Sequence, residues 1–356
     1  MSAPVHELDG ADPGAAQGLS TDAPRRLSTR PGPADRNFTV VLTTAGLLVL
    51  AIMVLVGTFL TLRGANALQV AGFSFLTEPQ WNPDGGEFGI AAVLTGTVLI
   101  GIVAILIAFP LALGTSLYIS EMAPPGSKRL LVNLVDLMAA IPSVVYGLWG
   151  FYLLQPHLLV VGASGDGLPR WLATYFGWVP FFSVTSMGER VDMRDPLLSG
   201  TSFTSSTFIA GIVVAMMVAP IATSIMRENF SQAPVGEREG AFALGATRWG
   251  MIRSVVLPFG RGGMIGGTML GLGRALGETI AVLMIISPVF EVKFRILELG
   301  SNSVSSLIAL RVGEAGPFAT SALMAAGLVL FAMTLVINFA ASAFIARSRS
   351  GSVSDA

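Results

Sequence analysis

The sequence predicts an all-α membrane protein with six transmembrane helices, and three observations carry that prediction. Hydrophobic residues make up 53% of the chain and charged residues only 12%, with a mean hydropathy of +0.71, a balance foreign to water-soluble domains. Apolar stretches almost free of charge recur along the chain, each long enough to cross roughly 30 Å of hydrocarbon as a helix of about 20 residues. Polar segments with Pro, Gly and Arg separate them.

Residues 1–36 come first. They are rich in Pro, Gly, Ala, Asp and Arg, lack apolar periodicity, and are expected to form a disordered tail. The first apolar run opens near Phe38 and shows no small-residue cleavage pattern, so it reads as a true span rather than a signal peptide. The six spans are expected at Phe38 to Leu62, Ile90 to Ser120, Leu130 to Leu154, Thr207 to Met226, Gly262 to Ile286 and Phe318 to Ile345. Together they define a membrane domain over residues 37–346, followed by a short tail at 347–356. With the N-terminus inside, the inner segments hold most of the Lys and Arg, among them Arg25, Arg26, Lys128, Arg129, Arg238, Arg347 and Arg349. Both termini are therefore expected in the cytoplasm of a bacterial inner membrane. Pro110, Pro142 and Pro220 interrupt three of the spans, and each is a candidate hinge or a fixed kink.

The loop between the third and fourth spans carries Trp171, Tyr175, Phe176, Trp178, Phe181 and Phe182. Aromatics clustered beside a span suit the lipid headgroup level, and they also suit a docking surface for an outside partner.

Composition excludes several function classes. There is no cysteine and there are only two histidines, His6 and His157, which removes thiolate chemistry and leaves no basis for a metal site. Neither lysine, Lys128 or Lys293, lies in a G-x-x-x-x-G-K-[ST] loop, so if ATP drives this protein another chain binds it. A net charge of -1 gives no reason to expect a nucleic-acid partner, and no cofactor or catalytic residue is indicated. The run Gly162-Ala163-Ser164-Gly165 looks like an intramembrane protease site, but it lies in a polar loop with only His157 near as a base.

Two segments carry specific chemistry. The stretch around 234–250 reads as a short amphipathic helix opened by Pro234, with Ala241, Leu244 and Gly245 on one face. Its apolar face must be buried on the protein's own underside or on a partner, and Gly245 marks either a bend or a close backbone approach. In the fifth span, Gly263, Gly267 and Gly271 repeat at i+4, as close packing of two membrane helices requires. Arg274 and Glu278 follow at the same spacing, which places them on one helical face. Each ionised group costs at least about 2.5 kcal/mol at mid-membrane, so they either neutralise each other or line the route of an anion. On the second reading the guanidinium offers paired donors to phosphate oxygens, and Glu278 accepts the proton of a P–OH group that sulfate lacks.

The spacing Glu239-Gly240-Ala241, Gly245, Val255, Leu257 and Pro258 resembles the coupling-helix signature of ATP-binding-cassette (ABC) import permeases, with Gly240 in place of the usual alanine. The runs from Leu272 to Thr279 and from Ala140 to Gly150 resemble the phosphate permeases of the PstC type. That resemblance implies the type I importer permease fold (MetI-like). It also implies that Glu239, Gly240, Ala241, Gly245, Leu257 and Pro258 form the contact with an ATPase. The partners it implies are a PstA-type permease forming a heterodimeric pore, two ATPase subunits, an extracytoplasmic phosphate-binding protein, phosphate as cargo and membrane lipid around the whole. A permease for sulfate or molybdate shares the coupling helix, and an ion-coupled transporter would share only the six spans.

Overall fold

The computed structural model describes residues 32–161, 166–186, 189–190 and 200–349. Its first helix, α1, runs Pro33–Ala71. Proline suits a first helical position, where its missing donor would have no partner, and Asp35 in the first turn complements the helix dipole. Residues 33–36, expected in the disordered tail, are therefore helical, while residues 1–31 lie outside the described residues. From Phe38 to Val56 every side chain is exposed, as suits a helix whose solvent is hydrocarbon. Residues up to Leu55 form one unit, and Val56 onward the other.

In the second unit, the short helix α2 (Ser74–Thr77) and the antiparallel pair β1 (Trp81–Asn82) and β2 (Glu87–Phe88) lead into α3 (Ala91–Leu117). A π turn at Tyr118–Met122 continues α3. Next come α4 (Pro125–Ala140), α5 (Ser143–Trp149) and a π-helical segment at Gly150–Leu159. The following loop holds α6 (Leu168–Phe176) and a second two-strand pair, β3 (Thr185–Ser186) and β4 (Glu189–Arg190). The long helix α7 (Thr207–Ser231) is followed by α8 (Val235–Ala243), α9 (Arg248–Met251), a π turn at Ile252–Val256 and α10 (Leu257–Phe259). The chain then forms α11 (Arg261–Leu276), α12 (Ile280–Ile285), α13 (Val304–Arg311) and α14 (Pro317–Arg349).

Among the described residues, four helical runs are long and apolar enough to cross a membrane unaided: Asp35–Ala71, Ala91–Met122, Thr207–Ser231 and Pro317–Ala343. Two bent pairs bring the number to six, Pro125–Ala140 with Ser143–Leu159 at 90° and Arg248–Phe259 with Arg261–Leu276 at 66°. The first bend thus falls inside expected span three, at one of the candidate kinks, and the second just ahead of the expected start of span five. Pro142 accounts for the first break, since a proline disfavours helical backbone at Ile141 and cannot donate within the helix. Across that corner the Tyr146 hydroxyl donates to the Met138 carbonyl at 2.9 Å. The second break falls at Gly260. The expected Gly262 to Ile286 span is itself divided at Gly277–Thr279, between α11 and α12. Pro110 and Pro220, by contrast, lie inside continuous helices, so of the three candidate hinges only Pro142 stands at a corner. Span six also extends beyond its expected end, because α14 reaches Arg349; the rest of the C-terminal tail, from residue 350, lies outside the described residues.

The core forms where α7 packs along α3. A Cβ on Gly211 would meet Val103 Cγ1 at 2.4 Å, so the two backbones approach as only a glycine contact permits. On another face of α7 lies α11, and here the i+4 glycines act as their spacing predicts. A Cβ on Gly263 would lie 2.2 Å from Asn229, one on Gly267 3.1 Å from the Ala222 carbonyl, and one on Gly271 2.5 Å from Val218. The C-terminal helix α14 completes the bundle against α11 and α13.

Candidate functional site

Arg274 lies in the last turn of α11, exposed, on the wall of a groove of about 700 Å³. Ile221 of α7, Leu270, Gly273 and Gly277 of the α11 region, and Leu330, Phe331, Thr334 and Asn338 of α14 also line it. The glycines again explain the shape. Gly263, Gly267 and Gly271 close against α7, whereas Gly273 and Gly277 leave the opposite side of α11 open towards Asn338. The result is a mostly apolar trough with one cation and two neutral polar side chains, Thr334 and Asn338. Among the described residues Arg274 forms no ion pair.

Glu278 does not join it. The helix that would have put both on one face stops at Leu276, and Glu278 is buried in the break, with 8% of its surface exposed. Its carboxylate accepts from the Ala281 amide at 3.3 Å, capping the start of α12, and its own carbonyl accepts from the Ser305 hydroxyl at 2.7 Å. Both bonds satisfy backbone groups that the break sets free, as non-helical chain at membrane depth requires. Arg274 and Glu278 therefore do not share one helical face, and the glutamate, expected either to neutralise Arg274 or to line an anion route beside it, caps the start of α12. A helical pattern cannot reveal this, because the Glu278 carbonyl finds its donor in Ser305, far along the chain. Thr334 and Asn338 were not singled out in the sequence, although two polar residues at i and i+4 in an apolar span are a readable signal.

The second site is the segment between α7 and α11. Pro234 sits just before α8 and opens it, as expected, but the helix ends at Ala243 rather than near residue 250. Gly245 adopts φ +85°, and the last turn closes with Gly245 N–H donating to Phe242 O at 2.9 Å and Ala246 N–H to Ala241 O at 3.0 Å. That pair of bonds is the Schellman arrangement, which needs a left-handed residue at the glycine. A Cβ at Gly245 would meet nothing within 4 Å, so within this chain the glycine serves the bend and no close approach. Thr247 then caps α9 through its hydroxyl, which accepts from Gly250 N–H at 3.1 Å.

The apolar side chains of this segment do not settle on the protein's own underside. Phe242, Leu244 and Trp249 are exposed, Leu244 almost completely at 92%. Glu239, Gly240, Gly245 and Pro258 are exposed as well. Ala241 differs, because it packs against the cluster of Met226, Phe230, Met251 and Ile252, and Leu257 packs there too. Of the six signature residues, four thus face outward and two face inward. Among the described residues no group of three His, Asp or Glu side chains could hold a metal ion.

The model of the binding-protein-dependent transport system inner membrane component family matches residues 112–350, which contain both the groove and the exposed segment. The chain belongs to this family. Within the family it is similar to phosphate transport system permease protein PstC of Xylella fastidiosa strain 9a5c, 35% identical over 317 residues that cover 89% of this chain and 92% of the relative. It is also similar to PstC 2 of Mycobacterium tuberculosis, 36% identical over 313 residues covering 87% and 91%, and to PstC of Mycobacterium leprae, 37% identical over 289 residues covering 80% and 85%. Among solved structures, a bacterial ABC transporter in complex with alginate pentasaccharide-bound periplasmic protein superposes with a TM-score of 0.55 at 17% identity, covering 90% of this chain and 97% of the other. A second, involved in the import of alginate, gives 0.52 at 19% identity, with 87% and 99% covered. These likenesses establish the fold of an ABC importer permease. The exposed segment interrupts the spans between α7 and α11, and α11 carries Arg274 at its far end.

Proposed function

We propose that this chain is the membrane-spanning permease subunit of an ABC importer that carries inorganic phosphate across the bacterial cytoplasmic membrane. Arg274 carries the reading. A guanidinium set in an apolar trough, with no ion pair among the described residues, offers planar, paired N–H donors to a tetrahedral oxyanion. Thr334 and Asn338 supply neutral hydrogen-bonding groups beside it, which can replace hydration without adding charge. The phosphate permeases to which the chain is similar support this choice of oxyanion. The groove opens on one side, as suits half of a pore completed by a PstA-type permease.

The segment from α8 to α9 is the contact with the ATPase. Phe242, Leu244 and Trp249 present the apolar surface, Glu239 and Gly240 flank it, and Gly245 sets the bend between the two short helices. Two ATPase copies below and an extracytoplasmic phosphate-binding protein above complete the importer, with both termini of this chain in the cytoplasm. The permease itself performs no covalent chemistry.

Phosphate uptake into proteoliposomes holding the full complex tests the reading, with wild type compared against Arg274→Gln. ATP-dependent uptake that the substitution abolishes, with the ATPase still bound, is the expected result. Uptake unchanged by the substitution removes Arg274 from the route. Uptake of sulfate or molybdate in place of phosphate assigns the other oxyanion.

A further inference from the structure

Helix α8 holds no buried residue, yet it is tied to the membrane helices by one buried polar link. Arg238, half-buried on α8, places Nη1 at 3.1 Å from Glu121 Oε2, whose side chain is only 4% exposed. Its Nη2 donates to the carbonyl of Phe230, the fully buried aromatic near the end of α7. Glu121 belongs to the π turn that ends α3, and its other oxygen accepts from the Ser120 hydroxyl at 2.8 Å. One guanidinium therefore bridges α8, the end of α3 and the end of α7. Apolar contacts can slide, whereas directional bonds from one guanidinium to a buried carboxylate and a backbone carbonyl hold one register, because breaking them leaves a desolvated charge without a partner. The π turn at Tyr118–Met122 adds weight, since such turns frequently mark functional positions in otherwise regular helices.

We propose that Arg238 is the positioning residue that makes α8 move as one body with the α3–α7 pair, so that displacement of α8 is delivered to α7, which lends Ile221 to the groove wall. The inference rests on the reading of α8 as the ATPase contact. Arg238 acts through Glu121 and the Phe230 carbonyl and touches neither phosphate nor ATP.

The chain contains no cysteine, so spin labels can be introduced at chosen positions without removing any native residue. In the assembled complex, labels at Gly236→Cys on α8 and Leu106→Cys on the exposed side of α3 report the distance between the two helices before and after ATP binding. The expected result is an unchanged distance in wild type, a changed or broadened one in Arg238→Gln, and partial recovery in the charge-exchanged pair Arg238→Glu with Glu121→Arg, which restores the ion pair but not the bond to the Phe230 carbonyl. In the same vesicles, phosphate moved per ATP hydrolysed falls about tenfold in Arg238→Gln and partly returns in the exchanged pair. A wild-type distance that changes on ATP binding overturns the proposal, as does an Arg238→Gln complex with unaltered distance. Uptake and hydrolysis that fall in parallel with a constant ratio also overturn it, because they assign Arg238 a purely structural role. Absence of phosphate uptake in wild type counts against the proposed cargo and leaves the distance measurement to decide the role of Arg238.

Discussion

Gly245 separates two explanations that a signature alone cannot tell apart. If the glycine is present because its backbone is left-handed, any residue with a Cβ costs about 1–2 kcal/mol there, and asparagine, which tolerates that conformation, costs least. If instead it is present because another chain approaches closely, size alone matters and asparagine is worse than alanine. The observed φ of +85° and the open space around the missing Cβ favour conformation. The amide of Ala246, bonded to the Ala241 carbonyl only when the turn is closed, provides the readout. A penalty of about 1–2 kcal/mol opens the turn roughly five- to thirty-fold more often. Hydrogen exchange at Ala246 should accelerate by that factor in Gly245→Ala and by clearly less in Gly245→Asn. ATPase retention in the complex should follow the same order. Exchange that is faster in the asparagine variant than in the alanine variant refutes the conformational account.

Glu278→Gln should retain most phosphate uptake, because the amide oxygen can still accept from Ala281 N–H, whereas Glu278→Ala should lose it; uptake in proteoliposomes distinguishes the two. Ser305→Ala leaves the buried Glu278 carbonyl without its donor and should cost about 1–3 kcal/mol, visible as a lower melting temperature in detergent. Gly271→Leu should destabilise the α7–α11 contact by driving a side chain into Val218, and Val218→Ala in the same chain should restore part of the lost melting temperature. Tyr146→Phe removes the bond across the Pro142 corner and should cost about 1 kcal/mol in the same assay.

Much of the architecture was legible because the bilayer imposes length and hydropathy on any chain that crosses it. The glycine repeat of the fifth span was legible for a related reason, since small residues at i+4 have one main use at a helix contact. What escaped the sequence were corners. Ile141–Pro142 could be read as a kink but not as a right angle, and the carbonyl that the break at Gly277 sets free is satisfied by Ser305, 27 residues beyond Glu278 and in place only once α13 is folded against it. Arg274 and Glu278 share a face only in a continuous helix, so an i+4 rule applied across an unseen break assigned the glutamate the wrong neighbour. Arg238 was legible as an inner-loop cation and no more. Its partner Glu121 lies at the end of a different helix, 117 residues away.

An arginine on the open side of a membrane helix also bears on how the protein comes to exist. In a single chain the groove around Arg274 faces outward, and a guanidinium held in hydrocarbon costs at least about 2.5 to 3.5 kcal/mol. An orphan copy bears that cost for as long as it remains alone. In the proposed heterodimer, insertion into the bilayer is thus a provisional state that ends when the second subunit closes over Arg274.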